Sequence, residues 1–154
     1  MTERIREIAG PDDLRALHRH DPARYPFLLQ STTRGGVLGR YDILFAFPGE
    51  SLVATETGFL DALDAHWRAE RLERQPGDLP FRGGWFVYLG YELAAEIEPG
   101  LDLEPDPLLP RAFAVRCATA LIYDHATGTC DYVRETQDCP DSDAVRADIA
   151  ALHR

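Results

Sequence analysis

The chain has 154 residues, a length typical of a single domain, and its 45% hydrophobic and 27% charged residues are typical of a folded globular protein. Its 16 basic residues, all arginines, stand against 26 acidic residues, so the formal net charge is −10. This acidity argues against nucleic acid and anionic membrane surfaces as partners. The first ten residues lack the apolar core of a signal peptide, and no apolar run is long enough to span a membrane. We therefore expect a cytoplasmic protein.

Apolar periodicity and turn residues divide the chain into short strands and helices. In chain order they predict a helix over Pro11–His20, strands over Tyr25–Ser31, Tyr41–Phe47 and Ser51–Thr55, a helix over Phe59–Arg74, a strand over Pro80–Tyr91, a helix over Glu92–Glu98, strands over Ala112–Tyr123 and Thr129–Glu135, and a helix over Asp141–His153. Tight turns at Pro48–Glu50 and His125–Gly128 predict two β-hairpins. The pattern predicts an α+β fold, with an antiparallel or mixed β-sheet packed by several helices.

Most catalytic and metal-binding signatures are absent from the sequence. His18 and His20 diverge by about 200° on a helix, so we do not expect them to bind a metal together. The three cysteines show no zinc spacing, and Cys117 is predicted to lie in the core because an apolar run surrounds it. A disulfide between Cys130 and Cys139 is left open by the spacing. We expect no catalytic residue, metal or cofactor in this chain.

One pair of stretches has the side chains of a binding site. Ser31 ends a predicted strand, and Gly39-Arg40-Tyr41 begins the next strand after a glycine-rich loop. A serine hydroxyl, an arginine fork for a carboxylate and a flat tyrosine ring suit a small amino acid or carboxylate ligand. The structural alternative is that Arg40 pairs with a surface acid while Tyr41 belongs to the core.

Four segments in order across about residues 20–128 carry a resemblance to a known family: Arg24–Ser31 (RYPFLLQS), Gly39–Leu44 (GRYDIL), Leu79–Glu98 (LPFRGGWFVYLGYELAAEIE) and Leu109–His125, which closes in the turn DHATG. Together they resemble the N-terminal region of the chorismate-using component I enzymes, anthranilate synthase component I and aminodeoxychorismate synthase component I. Asp42 favours the aminodeoxychorismate branch, because the anthranilate branch tends toward Gly-Arg-Tyr-Ser. An anthranilate synthase component I is the alternative.

The resemblance implies that residues 1–154 are a single, non-catalytic N-terminal domain. In this family the chorismate-binding and Mg²⁺-binding residues lie in a larger C-terminal domain, which we expect to be absent from this chain. The parent enzyme would use ammonia from a glutamine amidotransferase, component II, to form 4-amino-4-deoxychorismate for folate synthesis. An isolated N-terminal domain is expected to expose an apolar sheet face or to bury it in a homo-oligomer.

The family also implies half of a tryptophan pocket. Residue by residue, the matching candidate tryptophan-binding positions are Ser31, Leu38, Gly39, Arg40 and Tyr41. Gln30 departs from the family pattern, since anthranilate enzymes usually have glutamate in Leu-Leu-Glu-Ser, and this departure argues against tryptophan inhibition. The other half of the pocket lies in the C-terminal part of the family's chains. A free-standing amino-acid-binding module is a further alternative.

Overall fold

A computed structural model describes residues 1–32, 39–54, 58–73, 75–98 and 100–153. Their elements are β1 (Thr2–Ile5), α1 (Pro11–His20), β2 (Phe27–Leu29), β3 (Tyr41–Ala46), β4 (Ser51–Val53), α2 (Phe59–Glu70), β5 (Gly84–Leu89), a 3₁₀ turn (Tyr91–Leu93) that continues into α3 (Ala94–Ile97), β6 (Ala112–Cys117), β7 (Thr119–Asp124), β8 (Thr129–Arg134) and α4 (Asp143–Leu152). The predicted α+β class with antiparallel sheets is confirmed. Within the described ranges, no helix is long and apolar enough to cross a membrane.

The chain divides into two compact units. The first consists of Met1–Pro48, Gln75–Gly83 and Cys117–Arg154, and the second of Gly49–Arg74 and Gly84–Arg116. The first unit contains a five-stranded sheet in the order β1-β8-β7-β3-β2, and the second contains a three-stranded sheet in the order β4-β6-β5. Each unit has its own cluster of buried apolar residues.

The core of the first unit lies between its sheet and two helices. Leu44, Leu121 and Tyr132 are cross-strand neighbours on β3, β7 and β8, and none of them is exposed to solvent. Helices α1 and α4 add fully or nearly fully buried side chains to the same cluster: Leu14, Leu17, Val145 and Ile149. Both helices are therefore amphipathic, and β3 lies in the interior of the sheet, between β2 and β7.

The predicted hairpin between β3 and β4 is wrong. β4 pairs instead with β6 in the second unit, where Leu52 lies opposite Ala114. Two backbone hydrogen bonds of 2.8 Å extend this ladder, from the Gly49 N–H to the Arg116 carbonyl and from the Arg116 N–H to the Glu50 carbonyl. Phe47, directly after β3, has φ of 51°, a left-handed conformation that a non-glycine residue adopts at some cost. The turn residues at Pro48 indicate a local change of direction, but the strand that follows them pairs with a segment far away in the sequence.

Two further differences concern the strands. The single strand predicted over Ala112–Tyr123 is divided at Ala118 into β6 and β7, which belong to different sheets. β1 was not predicted, because its sequence TERI has three polar residues and only Ile5 is buried. β1 is held in the sheet by its backbone pairing with β8 rather than by burial of its side chains. Cys117 is buried as predicted, and all three cysteines are free thiols.

Candidate functional site

The candidate binding residues lie at one end of the five-stranded sheet. Ser31 follows β2, Arg40 precedes β3, and Tyr41 pairs with Asp124 at the end of β7. Gly39, which directly precedes Arg40, is buried. Leu38 lies outside the described residues. The sheet therefore brings the ends of β2 and β7 to the beginning of β3, as expected for neighbouring antiparallel strands.

Arg40 is held by an acid of the neighbouring strand. Its Nε donates to Asp124 Oδ1 at 3.0 Å and its Nη2 donates to Asp124 Oδ2 at 2.8 Å, a bidentate pair. Its guanidinium carbon also lies 4.8 Å from the centre of the Tyr41 ring. The arginine fork thus binds a carboxylate, as the structural alternative foresaw, but Asp124 is buried rather than a surface acid, and Tyr41 is half-buried rather than part of the core. The Arg40 side chain nevertheless remains 45% exposed.

The Arg40 guanidinium lowers the pKa of Asp124, and a hydrogen bond from the Ala126 N–H adds to this effect. A carboxyl whose pKa is lower in the folded state stabilises the protein above its unfolded pKa of about 4 and loses that contribution as the pH falls through the folded pKa. We expect Arg40→Gln to make unfolding in urea less dependent on pH between about pH 2 and 5.

The control for this prediction is Arg68→Gln, which breaks an exposed pair with Asp64 on α2. Exposed helix pairs contribute only a few tenths of a kcal/mol, about 0.3–0.5, so this variant should keep the wild-type acid dependence. An Arg40→Gln protein with the same acid dependence as the wild type would contradict the proposed role of the Arg40–Asp124 pair.

Asp42 is the centre of a second network that sequence reasoning missed. Asp42 is only 2% exposed to solvent. Oδ2 accepts a hydrogen bond from Gln30 Nε2 at 3.0 Å and lies 3.1 Å from His125 Nε2, while Oδ1 accepts from the Ser31 N–H at 3.3 Å. One buried carboxylate thus ties the end of β2 to the turn after β7. The only signal in the sequence was a lone acid in an otherwise apolar strand.

The turn after β7 completes the site. The His125 N–H donates to the Arg40 carbonyl at 2.9 Å, and the His125 ring packs edge-on against Tyr123 with ring centres 5.0 Å apart. Gly128 has φ of 66° and its N–H donates to the Asp124 carbonyl at 2.8 Å, which closes the turn. The predicted turn at His125–Gly128 and the hairpin of β7 with β8 are confirmed.

These contacts describe a network that positions side chains. The carboxylates of Asp42 and Asp124 already accept bonds from N–H donors, so they do not form a set of free oxygen ligands of the kind that Mg²⁺ binds. Among the residues that the structure describes, no group of three or more His, Cys, Asp or Glu side chains could hold a metal ion. The groups that reach solvent at this end of the sheet include Arg40 and the part-exposed ring of His125.

No protein-family profile matches the chain. Over 122 residues it is 36% identical to anthranilate synthase component 1 of Streptomyces coelicolor, an alignment that covers 79% of this chain and 21% of that protein. Over 124 residues it is 31% identical to anthranilate synthase component 1 of Cereibacter sphaeroides, covering 66% of this chain and 25% of that protein. The chain thus spans a quarter or less of the length of these curated relatives.

The fold is also found in a solved structure. The crystal structure of anthranilate synthase component I from Streptococcus pneumoniae matches with a TM-score of 0.51 and 16% identity, and the match covers 80% of this chain and 31% of that chain. At this identity the match shows a shared fold. The aminodeoxychorismate branch predicted from the sequence is not confirmed by these matches. The chain is similar to part of anthranilate synthase component 1 from these two bacteria, and it shares the fold of the solved component I structure.

Proposed function

We propose that this chain is the non-catalytic N-terminal domain of an aminodeoxychorismate synthase component I. The enzyme as a whole would convert chorismate to 4-amino-4-deoxychorismate in the cytoplasm, with ammonia from a glutamine amidotransferase, component II. The family resemblance assigns the binding of chorismate and Mg²⁺ to a larger C-terminal domain. The chain covers only a quarter or less of the curated relatives, and this supports a role for it as one part of such an enzyme. The function of these residues is then structural support of that domain.

The contact between Gln30 and Asp42 carries the choice of branch. In the anthranilate pattern, glutamate stands at the position of Gln30 and serine at the position of Asp42. Here the Gln30 amide donates to the Asp42 carboxylate at 3.0 Å. A glutamate at position 30 would place two carboxylates at this distance, which is unfavourable when both are charged. We infer that the two departures are one coupled exchange, and this inference supports a branch distinct from the anthranilate pattern.

The assay for this proposal compares the 154-residue chain with the protein made from its complete reading frame. Each is incubated with chorismate, Mg²⁺ and ammonium, with and without aminodeoxychorismate lyase. We expect the 154-residue chain to consume no chorismate. We expect the complete protein to consume chorismate and to yield 4-aminobenzoate only when the lyase is present.

The possible products separate the alternatives. Fluorescent anthranilate formed without the lyase would reject the aminodeoxychorismate branch and support anthranilate synthase. Consumption of chorismate by the 154-residue chain itself would reject the non-catalytic role. A complete protein that leaves chorismate unchanged would reject the proposed enzyme.

A second candidate function is binding of L-tryptophan at Ser31, Leu38, Gly39, Arg40 and Tyr41. The family resemblance implies this candidate, and the described members of the set lie at one end of a sheet. A ligand carboxylate would have to share the Arg40 guanidinium with Asp124 or displace it. Gln30 and the missing half of the pocket both weigh against this candidate.

This second candidate has a direct thermal test. At 100 times its Kd, a ligand adds about 2.7 kcal/mol of stability, so saturating L-tryptophan would raise the Tm of the chain by several degrees. The rise would be lost in Arg40→Ala and kept in the control Arg68→Ala. No rise with L-tryptophan, or an equal rise with L-alanine, would exclude the site.

A further inference from the structure

The segment between β5 and β6 is a long loop whose two ends are hydrogen-bonded to each other. We call residues 91–110 the acidic loop; its described residues, 91–98 and 100–110, begin with the short helices and then have no regular structure. The Gly90 N–H donates to the Arg111 carbonyl at 2.7 Å, which joins the two ends of the loop. A Cβ atom at Gly90 would lie 2.8 Å from that carbonyl oxygen, so this closure requires glycine.

The acidic loop exposes apolar side chains to an unusual degree. Leu108 is 89% exposed, Tyr91 80% and Ile97 73%, and Leu101 and Leu109 are each more than two-fifths exposed. Tyr91 directly follows Gly90, and Leu109 lies two residues before Arg111, so both belong to the closed base of the loop. Exposed apolar side chains concentrated in one segment of the surface mark a site of interaction.

The end of the loop has an ordered turn. Asp106 Oδ1 accepts hydrogen bonds from the Leu108 N–H at 2.7 Å and from the Leu109 N–H at 3.0 Å. Both leucines are therefore presented to solvent on a backbone that the turn holds in place. An ordered apolar surface loses less entropy on binding than a flexible one.

The charge of the loop is of one sign. It contains six acids, Glu92, Glu96, Glu98, Asp102, Glu104 and Asp106, and the sequence has no Lys, Arg or His between Arg82 and Arg111. Four of the acids, from Glu98 to Asp106, are exposed. The apolar side chains are thus interspersed with negative charges, and complementary charge would select the partner.

We propose that the acidic loop docks a separate protein whose binding face has an apolar centre surrounded by arginines or lysines. A second copy of this chain does not meet this description, because a two-fold contact through the loop would bring two sets of carboxylates together. Anionic membranes and nucleic acids are repelled by the same charge. The proposal is independent of the enzyme assigned above.

The test uses defined peptides as probes. Three fluorescein-labelled amphipathic helical peptides are compared by fluorescence anisotropy: one with a leucine stripe and arginine flanks, one with the same stripe and glutamate flanks, and one with arginine flanks and serine in place of leucine. We expect the leucine–arginine peptide to bind the chain at least tenfold more tightly than either of the others. Added salt should weaken this binding because charges contribute to it.

Matched variants locate the binding to the loop. Ile97→Ser/Leu108→Ser is expected to weaken binding of the leucine–arginine peptide at least tenfold, and Glu98→Gln/Asp102→Asn/Glu104→Gln is expected to reduce its salt dependence. The control Leu29→Ser/Trp67→Ser removes apolar groups that are 49% and 53% exposed elsewhere, and it should bind like the wild type. Equal Tm values of the variants establish that each one is folded.

Three results would overturn the proposal. The first is equal affinity for the serine peptide or unchanged affinity in Ile97→Ser/Leu108→Ser. The second is a dimer in sedimentation that dissociates in that variant, which would assign the loop to a second copy. The third is protection of Tyr91 from hydroxyl-radical footprinting in the protein from the complete reading frame, without any partner added, which would show that the same polypeptide covers the loop.

Discussion

Leu121→Ala is expected to lower the free energy of unfolding by about 2–5 kcal/mol, the range for a large-to-small change in a closed core. Leu121 has no exposed surface and lies on β7, the central strand of the five-stranded sheet. Its cross-strand neighbours Leu44 and Tyr132 are equally buried, so the surrounding side chains have little freedom to fill the cavity. Urea denaturation would show a lower midpoint with an unchanged slope.

The matched control is Leu29→Ala, which makes the same change in β2 of the same sheet. Leu29 is 49% exposed, so its loss should change stability by no more than about 0.5 kcal/mol. Similar losses in the two variants would contradict the central position of β7 in the core.

Asp42→Ala is expected to cost about 2–3 kcal/mol, because it leaves the Gln30 amide, the Ser31 N–H and the His125 ring without their acceptor. The side chain of Asp42 is nearly inaccessible, so water cannot replace all of these contacts. Asp64→Asn, which alters an exposed carboxylate paired with Arg68, serves as the control and should be nearly neutral. A neutral Asp42→Ala would show that the network contributes no stability.

The coupled exchange at positions 30 and 42 can be separated by a double-mutant cycle. Gln30→Glu alone should destabilise the chain at pH 7, where two carboxylates would meet. Gln30→Glu/Asp42→Ser, which reproduces the anthranilate pattern, should lose less stability than the sum of the losses in Gln30→Glu and Asp42→Ser, because it does not place two carboxylates together. Additive effects of the two changes would mean that the positions are independent.

The parts of the fold with a clear local pattern were predictable. Helix α1 begins at a proline followed by two acids, and the α4 face that contains Val145 and Ile149 recurs at helical spacing. The hairpin of β7 and β8 follows from two strands around a tight turn. In each of these cases the residues that determine the element lie next to each other in the sequence.

The parts that sequence reasoning missed depend on distant partners. β4 has three residues, and its neighbour β6 lies about 60 residues further along the chain, so no local signal could pair them. The three partners of Asp42 come from the two residues directly after β2 and from the turn after β7, so its position in an apolar strand did not indicate them. Arg40 and Asp124 are likewise separated by 84 positions. The sequence shows that these residues are polar or apolar, but it does not show which distant residue each of them contacts.

The strand order of the five-stranded sheet sets a time during synthesis of the chain. β3 pairs with β7, and Tyr41 meets Asp124 more than 80 residues later. At about 5–20 residues per second, a ribosome needs roughly 4–16 s to make that interval. During this period β3 has been synthesised, but β7, which pairs with one of its edges in the folded sheet, has not. We therefore expect nascent chains stalled before β7 to aggregate and to bind chaperones more readily than the 154-residue chain does.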